Sequence, residues 1–452
     1  MSSPAVHPHD PYAALRQTGY RRYLIGTFCA SIGRQMGTVA IAWQIYQWTH
    51  SATALGLVGL VNVIPLLLLS LPAGTIADRV DRKRLISSTT LAASILSVLL
   101  AAVTYFHEHI PAHPVLNAAN GGLRALAIAF EHNETGVDFS HPALPVLYLI
   151  LLGIAVLRIL GGPARSAIVP LLIPSNLLSN AVTWNSSTFE IATMAGPAIG
   201  GFLIVWAGFP AVYLIDALCG ITLVVMIAGV RYLNPPTPAQ GGRSLNGMLA
   251  GAKFIWHKKI ILGASSLDLF AVLLGGAVAL LPIYADRILH VGPIGLGWLR
   301  AAPSIGAFAT ALLIAHRRPM QRPGLMMLWA VAGFGVSIFL FGISTWFWLS
   351  FIALVFTGVC DNVSVVVRQS LVQLLTPDHL RGRVTSVNQI FIGSSNEIGT
   401  LRAGLMAAVI GPVAAVLWGG VGTVAVVLII AGLVPQLRNL PPLDKLKADS
   451  EV

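Results

Sequence analysis

The chain has 452 residues, of which 56% are hydrophobic and 10% charged, against about 25% charged in a soluble domain. A mean hydropathy of +0.78 leaves more apolar surface than a water-soluble fold of this length can hide, which excludes a soluble enzyme. The net charge of +11 points to basic loops beside a membrane rather than to a nucleic-acid partner. Cys29, Cys219 and Cys360 lie in apolar stretches without a CxxC pair, so neither a disulfide framework nor a thiolate metal site is expected.

Taken in order, residues 1–22 form a polar cytoplasmic segment, and no secretory signal precedes the first apolar run. A spanning helix needs about 20 apolar residues. Twelve runs qualify: 23–47, 54–74, 85–106, 145–164, 183–206, 209–230, 258–283, 294–315, 324–342, 346–368, 384–410 and 412–434. They are numbered spans 1 to 12. A β-barrel is excluded, because the runs are long and lack two-residue alternation. With the N-terminus inside, cytoplasmic segments hold 22 of the 28 Lys and Arg, and external segments hold only Arg124 and Arg287. That asymmetry predicts both termini in the cytoplasm of a multi-pass plasma-membrane protein.

The chain also repeats itself. Arg165, Leu171, Pro174, Asn185, Gly196 and Gly201 recur 203 residues later as Arg368, Leu374, Pro377, Asn388, Gly399 and Gly404. Earlier in the chain the offset is 238: Tyr46, Gly59 and Pro65 match Tyr284, Gly297 and Pro303. Each offset sets span n against span n+6, so two parallel six-helix repeats are expected, an arrangement found in secondary transporters. The halves are 23–230 and 258–434. The offset falls by 35 residues, from 238 to 203, between spans 2 and 4, an excess in the first half filled by the polar external loop 107–143, which reads as solvated. Five histidines crowd it (His107, His109, His113, His132 and His141) without HxxxH or HExxH spacing on a helix, so no metal is expected. The linker 231–257 opens with Asn234-Pro-Pro-Thr-Pro238 and ends in an amphipathic piece, 245–256, suited to the inner leaflet. Residues 435–452 form a cytoplasmic tail.

Between spans 2 and 3 stands Gly74-Thr-Ile-Ala-Asp78-Arg79-Val-Asp81-Arg82-Lys83-Arg84. Gly74 permits close approach at a tight turn, and Asp78 suits a helix N-terminus. This segment resembles motif A of the major facilitator superfamily; the second half keeps only Ala315-His316-Arg317-Arg318. Arg158-Ile-Leu-Gly161-Gly162 resembles the same family's motif B. Met194-Ala-Gly196-Pro197-Ala-Ile-Gly200-Gly201 resembles motif C, associated there with antiporting exporters. Its small residues also suit ordinary close packing, and Pro197 suits a kink. Asn388-Gln-Ile-Phe391 through Glu397-Ile-Gly399, with Gly161 to Arg165, is similar to the enterobactin-exporter-like (transmembrane secretion effector) branch. Where an acidic segment is expected in that branch, this chain has Thr400-Leu401-Arg402. The resemblance implies an all-α fold of twelve transmembrane helices and makes Asp78 a conformational switch. In that role Asp78, with Gly74, Arg79 and Arg82, meets Arg383 at the start of span 11 when the cavity opens outward.

Away from the ends of the runs, nine ionisable residues fall within them: Arg34, Arg158, Arg300 and Arg402, against Glu190, Asp216, Asp268, Asp361 and Glu397. Charges at membrane depth are costly and mark pathways or pairs. Arg34, Arg158, Asp268 and Asp361 lie mid-run in spans 1, 4, 7 and 10, which line the central cavity in the superfamily. The expectation is that Asp268 and Asp361 carry protons, with Arg34 and Arg158 as switching partners, and Glu190 and Glu397 in reserve. Asp216 and Arg300 read as structural groups near the outer interface. The function expected is export of small amphiphilic, siderophore- or drug-like molecules by proton antiport, with rocking halves. The partners are then a small-molecule substrate, protons and the bilayer, for a monomer without a cofactor. Import on the same fold is the alternative, and motif C disfavours it. A membrane enzyme lacks support, since no metal or nucleophile constellation is seen, and no Walker A motif marks a fused ATPase.

Overall fold

The computed structural model describes residues 10–109, 114–130, 138–139, 141–233, 245–316 and 320–442. The Pro-rich start of the linker, Arg317-Arg318, His113, His132 and residues 443–452 lie outside them. Among the described residues all regular elements are helical. Spans 1 to 4 are Thr18–Thr49, Ala52–Arg79, Arg82–Tyr105 and Leu144–Leu172. One continuous helix, Leu178–Ala228, holds spans 5 and 6, divided at Gly208 with φ 78°. Span 7 begins as Lys259–Leu274, and spans 8 to 12 are Gly292–Ala315, Pro323–Ile343, Phe347–Leu375, Asp378–Ile410 and Pro412–Leu433. Among the described residues nine helices are long and apolar enough to cross a membrane, counting Ser175–Ala228 once. That helix is two spans, and the more polar Thr18–Thr49 and Asp378–Ile410 complete the twelve. Large apolar side chains such as Leu68, Ile95, Leu149, Val225 and Leu428 point outward, as a lipid-facing surface requires.

Local chemistry sets the ends. Ser51 caps span 2 by accepting from Ala54 N–H at 3.0 Å, and Asp81 caps span 3 by accepting from Arg84 N–H at 2.9 Å. Gly208 and Gly411, 203 residues apart, turn the chain after spans 5 and 11 with φ 78° and 86°. The positive φ makes glycine the residue for both turns, so the repeat is visible in the backbone itself.

The face carrying the outer ends of spans 1 and 12 is here the terminal face; the opposite one is the far face. Near the far face the halves meet along two seams. A Cβ on Gly297 would lie 3.2 Å from Gly201 Cα, and one on Gly56 would lie 3.1 Å from Gly404 Cα. Gly201 and Gly404 are repeat mates, so the span 5–span 8 seam is copied as the span 11–span 2 seam. Between the seams, the Tyr46 hydroxyl donates to Asp286 Oδ2 at 3.1 Å, and Arg287 donates to the His50 carbonyl at 3.3 Å. The apolar core follows the same plan. On the far side one cluster runs through both halves, from Met36 and Tyr46 to Tyr284, Leu296 and Ala403. Toward the terminal face it divides into separate clusters, around Tyr20, Ile86 and Ile168 in one half and Leu267, Met327 and Leu371 in the other. The molecule is shut at the far face and parted at the terminal face.

Three expectations need correction. Span 7 is not continuous to 283. It breaks at Gly275-Gly276 into a 3-10 turn, Ala277–Leu280, and a π turn, Tyr284–Ile288. Residues 107–143 are not simply solvated. They contain a helix, Pro114–Phe130, whose Leu123, Ala127 and Phe130 pack on the far-side core. Spans 4 and 10 run on to Leu172 and Leu375, so Arg165 and Arg368 lie within helices rather than in cytoplasmic loops. The linker helix Leu245–His257 rests against the start of span 11, where a Cβ on Gly251 would meet the Arg383 backbone at 2.9 Å. Its Leu249 and Trp256 stay exposed.

Candidate functional site

A cavity of about 420 Å³ lies between the halves, lined by Arg34, Arg158 and Asp216 from the first half and Arg300 and Glu397 from the second. Its floor is the pair of seams. A lobe of about 340 Å³, walled mostly by the second half, carries Glu190 of span 5 and Asp361 of span 10. Val278, Ala279, Asn396 and Thr400 line both, so the two are continuous. The break in span 7 places Val278 and Ala279 there. A further lobe within the first half shares Arg34, Arg158 and Asp216.

The five charges differ in their partners. Arg158 Nη2 lies 3.5 Å from Glu397 Oε1, an ion pair that joins the halves. Its side chain nevertheless keeps 41% of its surface open, so the pair leaves a free guanidinium edge. Asp216 accepts from Ser97 Oγ at 2.7 Å. Arg34 and Arg300 reach the cavity from spans 1 and 8, and neither guanidinium makes a hydrogen bond or ion pair among the described residues. The cavity therefore carries three guanidinium groups and two carboxylates, with two of the remaining three carboxylates in the adjoining lobe.

Asp268 does not join them. Its Oδ2 pairs with Arg368 Nη2 at 3.3 Å, and Arg368 Nη1 donates to Asn388 Oδ1 at 3.2 Å. Both charged residues are buried inside the second half, so the expected switching between Asp268 and Arg34 or Arg158 is replaced by a fixed pair. Arg402 is likewise used locally. It donates to the Leu274 carbonyl, which the span 7 break leaves without a helical partner. Asp216 and Arg300, read as interface groups, line the cavity instead. Each lies eight residues beyond its far-face turn, about 12 Å deep at 1.5 Å per residue.

Motif A is divided in its work. Gly74 is buried, whereas Asp78, Arg79 and Arg383 are exposed at the terminal face, and no hydrogen bond or ion pair joins Asp78 to Arg383 among the described residues. Arg82 donates to the Ala167 carbonyl at 3.0 Å, tying spans 3 and 4. Asp81, rather than Asp78, caps span 3. Motif C is a packing surface. Gly196 and Gly200 admit Gln35 and Met36 of span 1, while Pro197 and Gly201 face Gly297 across the seam.

The chain matches the family model described as "Transmembrane secretion effector" over residues 9–113 and 123–451. It is 26% identical over 427 residues to the enterobactin exporter EntS of Shigella boydii serotype 18, covering 94% of each chain. It is equally 26% identical over 426 residues to EntS of Citrobacter koseri, again 94% of each. Among solved structures it is similar in fold to a bacterial homologue of the lysosomal transporter Spinster in an inward-facing, unoccupied state. The TM-score is 0.66 at 14% identity, covering 94% of this chain and 99% of that one. A bacterial homologue of the iron transporter ferroportin in the inward-facing state gives 0.63 at 15% identity, covering 92% and 99%. With twelve helices in two repeats around a central charged cavity, the chain belongs to the transmembrane secretion effector family of major facilitator transporters.

Proposed function

We propose that this transporter exports small amphiphilic molecules, siderophore- or drug-like, from the cytoplasm by proton antiport with alternating access. The carrying observation is the central cavity: it is shut at the far face by mirrored seams and holds carboxylates from both halves. The terminal face, with its Arg and Lys clusters, is the cytoplasmic side of the plasma membrane. A cavity parted there takes substrate from the cytoplasm. The two halves, 23–230 and 258–434, rock as bodies of a monomer joined by the linker 231–257. Asp361 and Glu190, clustered in one lobe, are the proton carriers. Glu397, paired with Arg158 across the halves, senses the state of the cavity. Contact of Asp78 with Arg383 latches the outward-open state, so its absence here fits a cytoplasm-facing molecule.

The test uses inverted vesicles with an acid-loaded lumen, challenged with a panel of siderophores, dyes and antibiotics. Substrate addition should release protons from the lumen. Asp361→Asn should abolish that release yet retain substrate exchange across the membrane. Proton release unchanged in Asp361→Asn at normal membrane levels removes the residue from coupling, and no release with any compound sinks antiport.

A further inference from the structure

Sorting the embedded charges by contact changes the balance of the cavity. Asp268 and Arg368 neutralise each other outside it, and Arg402 is held by a backbone carbonyl. What faces the main cavity is Arg34, Arg158 and Arg300 against Asp216 and Glu397. One of those acids already accepts from Ser97, and the other holds Arg158 at 3.5 Å. Two guanidiniums stand without a hydrogen-bonding or ionic partner among the described residues, and a third keeps an open edge. Such groups at membrane depth call for an anion. Most other lining is apolar, including Ile41, Leu55, Val58 and Ile154.

Resting on the exporter reading above, we propose that the substrate carries an acidic group on an apolar body. That group binds Arg34 and Arg300 and displaces Glu397 from Arg158. In the empty cavity the Glu397 carboxylate occupies the place of the substrate's anion. Substrate entry thereby breaks the ion pair between spans 4 and 11 and sets the two halves free of it. The released Glu397 carboxylate takes up a proton or solvent in place of Arg158, so the arriving anion does not face it bare.

Two xanthene dyes of similar size and opposite charge test this: fluorescein, an anion at pH 8, and rhodamine 123, a cation. Binding to the purified full-length protein is read by fluorescence anisotropy. Fluorescein should bind at least tenfold more tightly. Arg300→Gln should weaken it about tenfold, as loss of a charge-assisted contact does, and Arg300→Lys should recover part of that. Glu397→Gln should act oppositely and tighten fluorescein several-fold, because the internal competitor is gone. Asp216→Asn makes the same change of charge away from Arg158 and should shift binding less. Equal or tighter binding of rhodamine 123, no binding of either dye, or weaker fluorescein binding in Glu397→Gln overturns the proposal. So does an equal shift from Asp216→Asn, which reduces the effect to net charge. Fluorescein binding without movement in energised vesicles leaves this inference standing and removes the exporter reading. Rhodamine transport without fluorescein binding does the reverse.

Discussion

Arg368 is 2% exposed and fills the space between spans 7, 10 and 11. Its partner Asp268 is equally dry, so the pair answers its own desolvation and little more. Removing one member is another matter. Arg368→Met strands the Asp268 carboxylate and should cost about 3–5 kcal/mol. The double variant Arg368→Met with Asp268→Leu should regain most of that loss, as read by the melting temperature in detergent. A single variant as stable as the parent would show that the pair bears no structural weight. Its repeat mate Arg165 donates instead to Thr90 Oγ1 at 3.0 Å. The equivalence of Arg165 and Arg368 was legible in the sequence; their place inside helices was not. An apolar run stops being counted at an arginine, although a helix continues through one whose partner lies on a neighbouring span. The same counting put Asp216 and Arg300 too near the surface.

The helix Pro114–Phe130 is fastened by the segment that follows it. Trp48, His107 and His141 stack, with Trp48 and His141 centroids 3.9 Å apart. Asn120 Nδ2 donates to the His141 carbonyl at 3.1 Å, and Ala143 N–H donates to His141 Nδ1 at 3.3 Å. That last bond requires an unprotonated Nδ1. Burial pushes the His141 imidazole below the ordinary histidine range, His107 beside it adds to the effect, and Asp138 opposes it. The undocked segment therefore binds the proton more readily than the docked one. Docking is at full strength above the free histidine pKa of about 6.5 and is lost as the pH falls below it. Hydrogen exchange over 114–130, corrected for intrinsic rates, should be faster at pH 5.5 than at pH 7.5. His141→Phe keeps a ring in the stack and should flatten that dependence; an unchanged dependence would move the switch elsewhere. Composition marked this segment as polar and missed its amphipathic stretch, since Leu123, Ala127 and Phe130 are too few to register as a run. The break of span 7 was hidden for the converse reason. Gly275-Gly276 sits inside apolar sequence, and hydropathy does not register the loss of helical hydrogen bonds there.

Across the whole molecule the repeat was the most readable feature. The glycines that recur at fixed offsets, Gly59 with Gly297 and Gly201 with Gly404, all lie in the seams, where Gly297 faces Gly201, Gly404 faces Gly56 and Gly59 meets the Glu397 carbonyl. Their recurrence follows from a steric need met twice, which survives where side-chain chemistry drifts. Bulk placed there should favour the other state. In a background without Cys29, Cys219 and Cys360, Ser304→Cys would report access to the second lobe. Gly404→Val should speed its labelling by an impermeant maleimide applied from the far side. If Asp78 latches the outward-open state, adding Asp78→Asn should slow it again. Labelling that ignores Gly404→Val would place the moving contact away from the seams.

The main cavity has a volume of about 420 Å³, and water takes about 30 Å³ per molecule in the liquid. An unloaded cavity closing at the terminal face must then shed or carry on the order of ten waters. The empty return step does osmotic work that a filled cavity avoids, because an apolar body has already displaced the water. If the terminal face opens to the cytoplasm, as the exporter reading has it, low water activity there weighs on the two halves of the cycle unequally.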